Sequence, residues 1–159
     1  MHPYHLRAEI HEPDFSFGMV KLIVLDRFMQ HIPADGSSFV PASHEDPKNP
    51  GVLKRVIADR TQLQAGQVQM LNWSLLPVGN SFQPHYHEDM QEIFVLLRGQ
   101  VTMQGGAEKT TMQKVTMNPG DCVIVAPREI HQMHNVGDIP AEYLVFGISS
   151  GQHGKTVIV

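Results

Sequence analysis

The chain has 159 residues, 42% of them hydrophobic and only 18% charged, with a net charge of −4 and a single cysteine. That length is enough to bury a core without staples, and the acidic balance excludes the basic stripe that a nucleic-acid or anionic-membrane binder needs. Cys122 has no partner for an internal disulfide, so nothing asks for an oxidising compartment.

In chain order, residues 1–18 show little periodicity and read as an irregular arm. The first residues lack the basic-then-apolar pattern of a signal peptide. The longest apolar segment, Met19 to Leu25, is interrupted by Lys21 and is too short to span a bilayer. The expectation is a cytoplasmic protein. Val20 to Leu25 is rich in strand formers, yet Leu22, Leu25, Met29 and Ile32 also fall at helical spacing, and both readings stay open. Pro33 to Gly51 is turn-rich and reads as a loop.

From residue 52 the character changes. Short β-rich segments cover Val52–Ile57, Val68–Leu76, Ser81–His87, Glu92–Leu97, Val101–Gln104, Thr111–Met117, Cys122–Ala126, His131–Val136, Ala141–Ile148 and Thr156–Val159. Turn signals separate them, among them Pro77 to Gly79, Arg98-Gly99, Gly105-Gly106 and Asn118 to Gly120. Many short strands at this spacing predict an all-β sandwich or barrel. Residues 1–51 are therefore an N-terminal arm and loop, and residues 52–159 a barrel, in one domain. Between Glu92 and Leu97 both parities are apolar after the glutamate, so this strand needs cover on two sides. One cover is the barrel interior. The other is the N-terminal segment or a second subunit, and a homodimer, with arm exchange as one form of it, is the expected assembly.

The histidines, 10 in all, hold the chemistry. His85 and His87 are two apart in a β-rich segment and leave the same face. Glu92 follows His87 by five positions, which is the wrong parity for a straight strand, but the polar stretch Glu88 to Gln91 can turn and bring it back as the first residue of the next strand. His131 opens a later strand. Three imidazoles and one carboxylate suit one divalent transition metal (Fe, Mn, Ni, Co, Cu or Zn) and leave a bound dication with a net charge of about +1. Such a centre favours a small-molecule ligand with carboxylate, enolate or hydroxyl oxygens.

Gly79, five residues, His85-Tyr86-His87, four residues, Glu92, six residues and Gly99 together resemble the first sequence motif of the cupin superfamily. Gly120-Asp121, His131 and Asn135 are similar to the second motif, although its usual proline and glycine fall on Ala126 and Arg128, with Pro127 one place off. The resemblance spans roughly residues 68–147. It implies a double-stranded β-helix, the jelly-roll barrel of the cupins, with His85, His87, Glu92 and His131 as metal ligands. The motif glycines stand where strands turn sharply, often with positive φ.

Further residues divide between function and packing. Gln83 shares parity with His85 and His87 and is a substrate contact or a strand-end polar residue. Phe94, Leu96 and Met133 share parity with ligands and form a substrate wall or plain core. Arg128 meets an anionic substrate at the barrel mouth or is a solvated loop arginine. His134 falls on the face opposite His131, Glu88 and Asp89 belong to a turn, and Tyr86 points outward. Trp73 reads as core and Cys122 as a small buried hydrophobe. Two functions from different classes fit. One is a metal-dependent enzyme acting on a sugar-like compound or a hydroxy or keto acid, by isomerase- or dioxygenase-type chemistry. The other is a non-catalytic module that binds a small ligand or metal, which could lack a second titratable group in its cavity.

Overall fold

The computed structural model describes Ile32, residues 37–61, Leu63, residues 67–149, Gly151 and residues 154–159. The N-terminal arm, with the strand-or-helix question over residues 20–32, lies outside the described residues apart from Ile32.

The regular structure of the described residues is almost all strand: β1 Val40–Pro41, β2 Leu53–Asp59, β3 Val68–Leu76, β4 His85–His87, β5 Met90–Arg98, β6 Val101–Gly106, β7 Gln113–Met117, β8 Cys122–Val125, β9 Ile130–Asn135, β10 Ala141–Ser149 and β11 Thr156–Ile158. One short 3-10 turn, Lys109–Thr111, precedes β7. A six-stranded sheet has the order β1-β2-β3-β10-β5-β8, and a five-stranded sheet the order β11-β4-β9-β6-β7. All their pairings are antiparallel. This is the expected jelly roll.

The alternating pattern of β5, β9 and β10 explains the layering. Met90, Glu92, Phe94 and Leu96 are buried while the residues between them are half-buried, and β10 buries Ala141, Tyr143 and Val145 in the same rhythm. The core between the sheets includes Leu76, Leu96, Val101, Met117 and Met133, each at most 1% exposed. Gly79, Gly99 and Gly120 all have positive φ, which relieves L side chains of a conformation they rarely adopt. At Gly99 a Cβ would also lie 2.9 Å from Ala141 Cα, so this turn needs glycine twice over.

Several expectations need correction. Pro33 to Gly51 is not loop throughout: Val40–Pro41 pairs with the start of β2. The polar stretch after His87 bends only at Glu88 and Asp89. Strand β5 starts at Met90, and Glu92 is its third residue rather than its first. Cys122 is exposed, because it takes the outward parity of β8 while Val125 points in. Trp73 lies half-buried on the outer face, with Arg55 stacked 5.5 Å from its ring centre and its indole N–H donating to Glu142 at 3.1 Å.

Candidate metal centre

Two strands of one sheet and one of the other bring the four expected residues together. His85 and His87 are the ends of β4, His131 lies opposite His85 on the neighbouring β9, and Glu92 faces them from β5. All four are buried, and one ligand atom from each lies within 4.8 Å of every other. Glu92 Oε2 is 2.9 Å from His131 Nε2 and 3.1 Å from His87 Nε2.

The far side of each ring decides what these close approaches mean. His85 Nδ1–H donates to the Gln83 carbonyl at 2.7 Å and His131 Nδ1–H to the Glu129 carbonyl at 3.0 Å, while His87 Nδ1 contacts the Thr156 hydroxyl at 3.2 Å. A carbonyl only accepts, so a neutral ring held this way presents a bare lone pair at Nε2. The Nε2 atoms of His87 and His131 and Glu92 Oε2 are buried without hydrogen-bond partners. Acceptors facing acceptors in a dry interior repel one another unless a cation, a shared proton or a metal ion, lies between them. The donor set fits a divalent transition ion, whose bonds to imidazole and carboxylate run to about 2.0–2.2 Å.

The titration behaviour agrees with the ligand forms. Burial, reinforced by His131 and His44 nearby, pushes His85 down to about 3, so the ring is neutral. Burial alone would push the Glu92 carboxyl up, but the contacts with His131 and His87 outweigh it and hold it below the usual range. Neutral imidazole and ionised carboxylate are the forms that bind metal.

Above these residues lies a cavity of about 280 Å³. Phe94 lines it, alone among the four residues expected to touch substrate. Gln83 contributes backbone instead: its N–H donates to Glu45 Oε1 at 2.9 Å and its carbonyl holds His85. Met133 is wholly buried in the core. Arg128 is exposed at a turn with φ 65°, beside a separate shallow depression with Tyr86 and Glu88, and its N–H donates to the His87 carbonyl at 2.7 Å. It thus keeps the left-handed turn that glycine favours while standing where the motif usually has one. His134 Nδ1 contacts the Ser81 hydroxyl at 2.7 Å, away from the cluster.

Sequence reasoning passed over His44, Lys54, Asn72, Ser74 and Tyr143, which also line the cavity. His44 stacks on His85 with ring centres 4.1 Å apart, on a loop anchored by Glu45, whose carboxylate accepts from the Gln83 and Gly51 N–H groups. A turn-rich loop gives no parity, so nothing in the sequence signals His44. The others lie on strands, where Asn72 and Ser74 share the parity of Leu76 and Tyr143 that of Val145.

Comparison with known proteins agrees with this architecture. Residues 72–147 match the model of the cupin domain family. An uncharacterised protein of Methanocaldococcus jannaschii is 29% identical over 94 residues, covering 59% of this chain and 71% of that protein. A crystal structure described as a predicted oxalate decarboxylase from Thermotoga maritima superposes with a TM-score of 0.64 at 20% identity, over 76% of this chain and 99% of that one. KdgF from Halomonas sp. gives 0.56 at 16% identity, over 75% and 94%. An oxalate oxidase gives 0.59 at 18% identity, over 75% and 59%. Residues 72–147 thus match a cupin domain, and the described chain has the fold of these cupin neighbours. Among the described residues no helix is long and apolar enough to cross a membrane.

Proposed function

We propose that this cupin is a metal-dependent enzyme for a small oxygen-rich molecule, a sugar-like compound or a hydroxy or keto acid. Its reaction is of isomerase or dioxygenase type, at one divalent transition metal held by His85, His87, Glu92 and His131. The observation that carries the reading is the meeting of His87 Nε2, His131 Nε2 and Glu92 Oε2 at one buried point, where none of the three has a hydrogen-bond partner. When bound, the metal supplies Lewis acidity or, if it is iron, oxygen activation.

The chain's own residues do the remaining work. The Gln83 and Glu129 carbonyls fix the tautomer and direction of two ligand rings before metal arrives. Phe94 and Val145 give the cavity an apolar wall that excludes water, and His44, Lys54, Asn72 and Ser74 give it polar contacts. Two of these, His44 and Lys54, are titratable groups for which an inert binding module has no need. A volume of about 280 Å³ lies just below the usual small-molecule range of about 300–1,000 Å³, which favours a small acid or single sugar over a polymer. Related folds include an oxalate oxidase solved with glycolate, a small hydroxy acid.

The assembly we propose is a homodimer through the outer face of the six-stranded sheet. That face carries Leu71, Phe146, Ile93 and Ile124 in one row across four strands, with Trp73, Leu144 and Val95 in the next. Ile124 is 59% exposed. The functional test is metal analysis of protein purified and reconstituted anaerobically, followed by a screen of small acids and sugars. About one equivalent of metal and turnover of one class is the expected result; no metal after reconstitution would end the proposal.

A further inference from the structure

Lys54 sits in β2 directly opposite Ser74 of β3, and Ser74 in turn faces Tyr143 of β10. Register therefore places all three on one inward row, and all three line the cavity. The next residue, Arg55, takes the opposite parity and stacks on Trp73 outside. So one strand aims one cation outward onto an aromatic ring and the next inward toward the metal centre.

Among the described residues no carboxylate lies within ion-pair distance of the Lys54 ammonium. Burial pushes its pKa down, and Glu92 acts on it through space without touching it. An ammonium on a partly buried wall loses hydration, and without a partner nothing in the protein repays that loss. In the same cavity the Asn72 amide nitrogen meets only the Met70 sulfur, a weak acceptor, at 3.0 Å, so an N–H is left to donate to an anion. Two polar groups in one cavity thus stand ready for something the protein does not supply. On the metal reading above, a dication reduced by one carboxylate leaves one positive charge, and Lys54 adds a second. A ligand with two negative charges offsets both.

We propose that Lys54 and Asn72 form an anion subsite opposite the metal ligands, and that the physiological ligand is a small dianionic acid. One end, a carboxylate or enolate, lies at the metal-binding residues. The other, a carboxylate, sits on the Lys54 ammonium with Asn72 at its side. This deepens the functional proposal and rests on it for the first end only, since the second end is built from Lys54 and Asn72 alone. Lys54 is a specificity-determining residue here, and no proton transfer is assigned to it.

The test is calorimetric titration of the zinc-reconstituted and the metal-free full chain with malonate, succinate and glutarate, and with succinamide as the uncharged control. At least one diacid should bind, and Lys54→Met should weaken it by about tenfold or more, the scale of one lost charge-assisted hydrogen bond. Lys54→Arg should keep most of the affinity, and succinamide should not distinguish wild type from Lys54→Met. Equal binding of every diacid by wild type and Lys54→Met, binding of succinamide as tight as that of succinate, or binding of none of the acids would overturn the subsite. Metal content measured on each sample separates the two proposals. A chain that takes up no metal yet still prefers diacids through Lys54 keeps the subsite and loses the centre, and a metal-loaded chain without that preference does the reverse.

Discussion

The two faces of the six-stranded sheet each depart from the usual division of a half-solvated antiparallel sheet: a polar patch interrupts the apolar core inside, and apolar rows run outside. Its inner face, which ought to be the greasy one, carries Lys54, Asn72, Ser74, Glu92 and Tyr143. Its outer face carries Leu71, Phe146, Ile93 and Ile124, then Trp73, Leu144 and Val95. Antiparallel sheets commonly alternate apolar-in and polar-out, so each departure needs a reason. Polar groups stay inside a barrel when they have a ligand to hold, and apolar groups stay outside when another surface covers them. On the two proposals above, the inner patch serves a ligand and the outer rows serve assembly.

The strongest blow to the inner half of this contrast is His87→Ala. Removing a ligand outright should cost more than the roughly 10–100-fold typical of a residue supporting a ligand. Metal affinity, read by competition with a chromophoric chelator, should therefore fall by about a hundredfold or more while the far-UV dichroism keeps its β signature. Unchanged affinity removes His87 from the centre. The outer half is broken by Phe146→Lys. Phe146 lies between Leu71 and Ile93 at the middle of the apolar face, and a charge there should weaken association by about 2 kcal/mol or more. Sedimentation should then show a dimer turning monomeric with its metal content intact, and a wild-type chain that is monomeric at every concentration defeats the assembly proposal.

Much of this was legible in the chain because strands and metal ligands both obey short-range rules. Val68–Leu76 falls where periodicity puts it, and the spacing from Gly79 to Gly99 holds both the turns and three of the four clustered residues. Parity failed at the bends. Glu92 arrives inside because only Glu88 and Asp89 leave the strand path, a length that sequence does not state. Trp73 and Cys122 read as core in the sequence because an apolar residue carries no mark of which side of a sheet it takes. His44 was missed for a different reason: its place over His85 depends on the Glu45 carboxylate bonding the Gln83 and Gly51 N–H groups, contacts distant along the chain.

Smaller changes sharpen the contrast by separating stability from function. Asn72→Leu replaces a buried acceptor that has no partner with a side chain suited to an apolar wall. It should leave the fold as stable or more so by about 1 kcal/mol, a rise in Tm of about 2–4 °C for a chain of this size, while weakening diacid binding. A marked fall in Tm would mean that Asn72 serves the fold after all.

The smallest expected effect lies at the turn beneath His87. Arg128 holds φ at 65°, a conformation that costs an L residue about 1–2 kcal/mol. Arg128→Gly removes that strain but adds about 0.5–1 kcal/mol of backbone entropy to the unfolded chain. The net gain should be up to about 1 kcal/mol, visible as a slightly higher Tm. Because Arg128 serves the centre through its N–H to the His87 carbonyl, a bond glycine keeps, metal affinity and diacid binding should not change. A loss of ligand binding in this variant would instead place the guanidinium at the mouth of the site and give the exposed side chain a part in recognition.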